Sequence, residues 1–299
     1  MIHKRILLFI ISFAVCMGLS TSNPLYAEVA GASFLKIPPG ARAAGMGNAF
    51  MAIADDAAGL WFNPAGSSAM SHREFMGTHA EWLAGTRFNH ASYINPLARG
   101  AVSASVSLLE YGSIESRNEA GSKTGSFTAQ DMCVSGGYAR ALTTRLSLGV
   151  NIKYIEQRIG SAQAQGYACD IGSHYTLPLK NLYAGFGIFN IGPSMKYHSE
   201  SYSLPLQYAG GLGYRYGELM ICGDIRYNAV NGKTEVAFGS EYTVHSILAL
   251  RLGYLHNQIA ATLNQNHDYS GIAGLSGFQG GFGLCIFNNQ MDYALVPYG

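Results

Sequence analysis

Charge is scarce in this chain of 299 residues: Asp, Glu, Lys and Arg make up 12% of it, about half of the roughly 25% usual in a soluble domain. A surface so poor in charge does not meet water on every side. Cysteine is sparse too. Beyond residue 27 only Cys133, Cys169, Cys222 and Cys285 remain, widely spaced and with no CxxC, which excludes a zinc ribbon and a compact disulfide scaffold and leaves buried or lipid-facing thiols. No apolar run after Ala27 approaches the about 20 residues of a membrane-spanning helix. GxSxG and HExxH are absent, and His79, at a strand entry, reads as a structural histidine and not a metal ligand. No catalytic residue, cofactor or metal is expected.

Glycine (37) and tyrosine (19) are abundant. Met1 to Ala27 has the order of a secretory signal: Lys4 and Arg5, an apolar stretch from Ile6 to Leu19, and a small-residue cleavage site at Leu25-Tyr26-Ala27. Its apolar stretch is too short to be a retained membrane helix. Removing Lys4 and Arg5 from the 19 basic residues, against 18 acidic ones, leaves a nearly neutral chain, and nothing in that balance points to nucleic acid.

The remaining sequence alternates. Val102, Ala104, Val106 and Leu108 interleave with Ser103, Ser105 and Ser107; Leu146, Leu148, Val150, Ile152 and Tyr154 interleave with Ser147, Gly149, Asn151 and Lys153. A period of two makes strands with one apolar and one polar face. The pattern recurs around Leu182 to Ile188, less regularly from Leu204 to Tyr214, and again at Leu219 to Tyr227, Val236 to Tyr242 and Leu248 to Tyr254. A soluble sandwich and a membrane barrel both produce such a list. Polar faces rich in Gly, Ser and isolated charges, strands ending in Tyr, and long polar loops at Glu115 to Thr124 and Asn257 to Tyr269 select the barrel. With a secretion signal, this means an all-β transmembrane antiparallel barrel in the outer membrane. At about 16 residues per strand and loop, residues 72 to 299 accommodate about 14 strands. A barrel that wide has a lumen to fill or leave open.

GARAAGMGNAFMAIADDAAGLWFNPAG, residues 40 to 66, is the candidate filler. Gly45 and Gly47 suggest a phosphate loop, but Pro38 and Pro39 exclude the preceding central strand that a dinucleotide fold needs. Small residues instead suit close packing of backbone against a barrel wall. Asp55 and Asp56 are placed to cap a helix over Ala57 to Phe62; Asn63, Pro64, Ala65 and Gly66 stop it and start a turn. An ordered periplasmic leader is the alternative to a luminal plug. By alternation Lys153, Asp224, Arg226, Glu235, Glu241 and Arg251, with Asp131 and Asp170, are lumen charges, either pairing with one another and the plug or lining a substrate route.

The blocks FLKIPPGARAAGMGNAFMAIADDAAGLWFNPAG (34 to 66), HAEWLAGTRFNHASYINPL (79 to 97), TGSFTAQD (124 to 131), LSLGVNIKYIEQRI (146 to 159), Leu204-Pro205 and the closing DYALVPYG resemble the PorV/PorQ family of Gram-negative outer-membrane proteins, related to FadL-type transporters. The resemblance implies a FadL-like barrel with its N-terminal segment folded into the lumen and residues 63 to 66 as the family's NPAG turn. Relatives commonly continue with another strand after DYALVPYG, so either the barrel closes differently here or the last strand is missing from this sequence. The expected organisation is a signal peptide (1–27), a plug or hatch (28–70) and a barrel (71–299). Two functions fit: binding or transport of hydrophobic small molecules such as fatty acids, or a component of type IX protein secretion that binds proteins and transports no small molecule. Outer-membrane lipids are expected partners in both, with a hydrophobic ligand in the first and secretion-system proteins in the second.

Overall fold

In a computed structural model, which describes residues 30–81, 85–197, 200–257 and 277–297, strands dominate. They are β1 (Glu74–Glu81), β2 (Arg87–Leu97), β3 (Gly100–Arg117), β4 (Lys123–Ala141), β5 (Leu146–Ile159), β6 (Ala162–Thr176), β7 (Leu182–Ile191), β8 (Met195–Tyr197), β9 (Glu200–Tyr202), β10 (Gln207–Tyr216), β11 (Leu219–Asn228), β12 (Thr234–Val244), β13 (Leu248–Asn257), β14 (Phe278–Ile286) and β15 (Asn289–Leu295). Thirteen of them form one antiparallel meander in chain order, while β8 and β9 make a separate hairpin between β7 and β10. The expected count was about 14. Among the described residues β1 and β15 are not hydrogen-bonded to each other, and the sheet curls into a barrel with that seam. No helix among the described residues is long and apolar enough to cross a membrane.

Alternation decides which side chain faces where. In β5, Leu148, Val150 and Ile152 are exposed outward, whereas Gly149, Asn151, Lys153 and Ile155 are buried. Val102 and Val106 in β3, Ile225 and Tyr227 in β11, and Leu250 and Leu252 in β13 point out in the same way. The outward tyrosines fall in two belts. Tyr93, Tyr138, Tyr175, Tyr214 and Tyr242 lie near one end of the strands and Tyr167, Tyr208 and Tyr227 near the other, with aliphatic side chains between, as an interfacial girdle requires. Leu204 is an exception to the expected strand pattern. It precedes β10 and is buried with Phe34, Leu35 and Met195 inside the barrel mouth.

The two ends differ. At one, β2–β3, β4–β5, β6–β7, β10–β11, β12–β13 and β14–β15 are joined by short turns; at the other lie the β3–β4 ribbon and the β8–β9 hairpin. Short turns are periplasmic and long loops extracellular in barrels of this kind. The stretch expected as a loop from Glu115 to Thr124 is half strand. β3 and β4 continue past the last partners of their neighbours, Glu110 opposite Arg87 and Ala129 opposite Ile159, to a turn at residues 118–122. Cross-strand pairs, Ile114 opposite Phe127 and Glu115 bound to Lys123, support the ribbon, with Arg117 on the same strand also bound to Glu115. The signal sequence, and the loop expected beyond Asn257, lie outside the described residues.

Candidate functional site

Residues 30 to 70 run along the inner face of the barrel. The path begins at the long-loop end, where Gly31 donates its N–H to the Ser203 carbonyl (3.0 Å) and Ala32 to the Gln157 side chain (2.9 Å). It ends at the short-turn end, where β1 starts. Along the way it forms a 3-10 turn (Ser33–Lys36), α1 (Ala41–Gly45), α2 (Gly59–Phe62) and a 3-10 helix (Pro64–Ala69). Such short pieces carry no stability of their own. The wall holds them.

Close approach is the first means. Gly149, Gly172, Gly185, Gly239 and Gly253 sit on the inward face of five strands, and a Cβ on any of them would collide with Pro64 and Ala65, Asn63, Met51, Met46, or Gly47 respectively. In register Gly149 stands opposite Gly172, and Gly239 opposite Gly253. The wall is thus bare where the segment's backbone lies on it. Gly47 answers from the other side: its φ is +65°, and a Cβ there would be 2.7 Å from the Tyr254 nitrogen.

Hydrogen bonds from the wall are the second means. Asp224 accepts the N–H groups of Phe50 (2.7 Å) and Met51 (2.9 Å) and pairs with Arg226 (3.0 Å), which donates to the Asn48 carbonyl. Asn63 donates to the carbonyls of Met51 and Ser173 (3.0 Å each) while its Oδ1 accepts from Ala65 N–H (3.1 Å). His174 Nε2 donates to the Ala52 carbonyl at 3.1 Å. The backbone of the segment, which forms little regular structure, finds its partners on barrel side chains.

A chain of ion pairs is the third. Arg42 on α1 grips Glu241 through Nε and Nη2 (2.8 and 2.9 Å) and reaches Asp55 (2.7 Å) and Asp56 (3.1 Å) through Nη1. Glu241 also accepts from Arg251 (2.7 Å), and Arg251 from β13 reaches Asp292 on β15 (2.6 Å). A continuous chain of ion pairs therefore runs from the segment to the last strand. A second cluster joins Lys153 to Asp170 (2.8 Å) and to Asn190 (2.8 Å), with Asn151 on the same carboxylate.

Of the residues singled out in the sequence, Gly45 packs on Gly281 and the Cβ of Arg251, Gly66 sits against Ala54, and Asn63 and Pro64 lie on Gly172. Glu235 faces inward opposite Arg226 in register. Asp55 and Asp56 do not cap a helix over Ala57 to Phe62. Turns occupy residues 57 and 58, α2 begins at Gly59, and only Asp56 accepts a nearby N–H, that of Ala58 (2.9 Å). Asp55 is drawn instead to Arg42 and Arg215 (3.5 Å). Burial pushes the Asp56 carboxyl up to about 6 against the pull of Arg42, with Asp55 and Glu74 adding to the rise. Arg42 was not among the expected site residues, although a lone arginine in the small-residue run ARAAG was the visible sign. The wall glycines and His174 were also missed.

Little space remains. Two cavities lined by Phe34, Leu35, Ile37, Trp61, Lys153 and Arg226 between the segment and the wall are water-sized, far below the about 300 Å³ at which small-molecule sites begin. The cations at their rim are already paired with Asp170 and Asp224. Among the described residues no three His, Cys, Asp or Glu side chains converge as metal ligands would.

A search of curated protein sequences returns no match. Solved structures share the fold: the toluene transporter TodX of Pseudomonas putida (15% identity, TM-score 0.60, covering 90% of this chain and 93% of that one), the monoaromatic hydrocarbon channel CymD (11%, 0.60, 85% and 90%) and a FadL homologue of Pseudomonas aeruginosa (10%, 0.55, 84% and 88%). At such identities the likeness is one of architecture. The family model described as type IX secretion system protein PorV matches residues 26–217, and with the outer-membrane barrel already traced, the chain belongs to the PorV family.

Proposed function

We propose that the protein is a non-conducting barrel of the type IX secretion machinery, an outer-membrane anchor that presents its long-loop end to protein partners while residues 28 to 70 plug its lumen. The observation that carries this reading is the filled interior. A transporter of hydrophobic molecules needs an apolar pocket of ligand size, and the two cavities lined by Phe34, Leu35, Trp61 and the wall are of water size. Each part of the segment is fixed to the wall by buried donors and acceptors, so opening it means breaking Asp224, Arg42 and Asn63 contacts together. The projecting β3–β4 ribbon and the β8–β9 hairpin supply features for protein contact at the long-loop end.

Binding of a hydrophobic small molecule is the second reading. The fold shared with hydrocarbon channels favours it, as does the apolar cluster of Phe34, Leu35, Leu109, Ile155 and Leu204 just inside the mouth. Native mass spectrometry of the detergent-extracted protein separates the two. Secretion subunits retained on a lipid-free barrel are expected from the anchor; stoichiometric fatty acid or another apolar ligand, without protein partners, would reverse the order of the two readings.

A further inference from the structure

Cations are unevenly spread around the short-turn end. Arg99 lies in the β2–β3 turn, Arg140 near the end of β4, Arg145 in the β4–β5 turn and Lys180 in the β6–β7 turn, all exposed. Arg73, just before β1, is held beside them by Asn95 (2.9 Å). The turns of the other half carry Gly217-Glu218, His245-Ser246-Ile247 and Phe287-Asn288, without a lysine or arginine. Backbone hydrogen bonds knit the basic turns into one row: Ala141 donates to the Arg99 carbonyl (3.0 Å) and Thr176 to that of Arg145 (2.8 Å). Successive turns stand two strand spacings apart, so the three span about 20 Å. Among the described residues Arg99, Arg140, Arg145 and Lys180 have no ion-pair partner. The nearby carboxylates are engaged inward, Asp55 and Asp56 with Arg42 and Glu74 with the Ala57 N–H. A row of unpaired like charges repels itself, and an anion offsets it.

We propose that the β2–β7 side of the short-turn end binds anionic phospholipid of the periplasmic leaflet, with Arg140, Arg99, Arg145 and Lys180 on its phosphates. Arg140 fixes the depth. It faces outward two residues beyond the exposed Tyr138 of the short-turn girdle. At about 3.3 Å per residue and a strand tilt of about 40°, that is about 5 Å past the ring. The headgroup layer is about 5–7 Å thick on each side of the hydrocarbon, so the guanidinium lies among lipid phosphates. Leu97, in register with Arg140 across Gly100, and Leu142, two residues beyond it, are also exposed. Cations set among apolar side chains suit a lipid, which has an anionic and an apolar part. An acidic protein docking from the water would reach the turns but not Arg140, which headgroups surround. This inference needs only the barrel and its orientation, and it stands whether or not the lumen conducts.

Native mass spectrometry of the folded barrel, titrated with phosphatidylglycerol or with phosphatidylcholine of the same chains, tests it. The parent should bind phosphatidylglycerol about tenfold more tightly or better, and Arg140→Gln should lose about fivefold. Replacing all four cations (Arg99→Gln, Arg140→Gln, Arg145→Gln, Lys180→Gln) should abolish the preference. Removing as many charges at the long-loop end (Arg87→Gln, Arg117→Gln, Lys123→Gln, Arg158→Gln) should leave it intact; heat-shifted gel mobility reports that each variant is folded. No preference in the parent, a preference that survives the first set, or equal losses in the two sets would overturn the proposal. So would an acidic protein retained through these four cations on a barrel without lipid preference. On the unaltered protein in phosphatidylcholine vesicles, a photoreactive phosphatidylglycerol should label residues 97–99, 140–145 and 177–181 about tenfold above residues 245–247 and 287–288. Even labelling around the rim would likewise overturn the site.

Discussion

A methyl group at Gly253 has nowhere to go, because the Gly47 backbone occupies its place. Gly253→Ala should therefore destabilise the folded barrel by about 1–3 kcal/mol, the usual cost of overpacking, and lower its heat-modifiability midpoint. Gly77→Ala, with nothing near its Cβ, is the matched control and should leave that midpoint unchanged. Asp56 offers a second residue-level test. Its folded value of about 6 stands above the ordinary 3.8, so the folded state holds the proton more tightly than the unfolded one. Stability should thus rise as pH falls from about 6 to about 4, by on the order of 2–3 kcal/mol from this group. Asp56→Asn keeps the acceptor for Ala58 N–H and removes the titration. The stability difference between the parent and this variant should shrink as the pH falls through that window; a difference that stays constant with pH would assign the carboxylate no such burial cost.

Element by element, the strands were legible because the facing of a side chain is set by its own alternation: Leu148, Val150 and Ile152 announce a lipid face without any knowledge of their neighbours. The luminal segment was legible only as a composition. Its contacts pair Phe50 with Asp224 and Arg42 with Glu241, across more than 170 residues, and no local pattern encodes such pairs. Wall glycines such as Gly172 and Gly239 look the same in sequence as glycines of a turn; only the segment lying on them explains their absence of side chains. The end of the β3–β4 ribbon was read as a loop because Glu115 to Arg117 and Lys123 to Ser126 carry no apolar side chain on either face, which a strand can do only where it leaves the membrane. That ribbon projects about 20 Å past its neighbours at about 3.3 Å per residue. On intact cells a membrane-impermeant maleimide should label Glu119→Cys at its tip and should not label Lys180→Cys in the short β6–β7 turn, both in a Cys285→Ser background. Reversed labelling would invert the assigned orientation of the barrel.

Taken whole, the proposed arrangement is a wall wide enough to leak and an insert that fills it. A sheet of thirteen strands encloses far more space than the eight whose own side chains suffice to fill the interior. Here many of the inward residues are small or charged, and residues 30 to 70 lie against them with Met46, Phe50, Met51 and Leu60 each fully buried. The burial of those side chains and the reach of the Arg42 ion pairs to β15 favour the plug over a leader resting at one end. The intact protein in planar bilayers should then be electrically silent. Deleting Gly40 to Gly66 should expose Asp224, Arg226, Glu241 and Arg251 to a water-filled channel and produce porin-like conductance steps, sensitive to salt because those charges would line the route. Folding of the deletion is checked by gel mobility before recording. Unchanged silence from a folded deletion would mean that something other than residues 40 to 66 closes the barrel, and the plug would have to be given up.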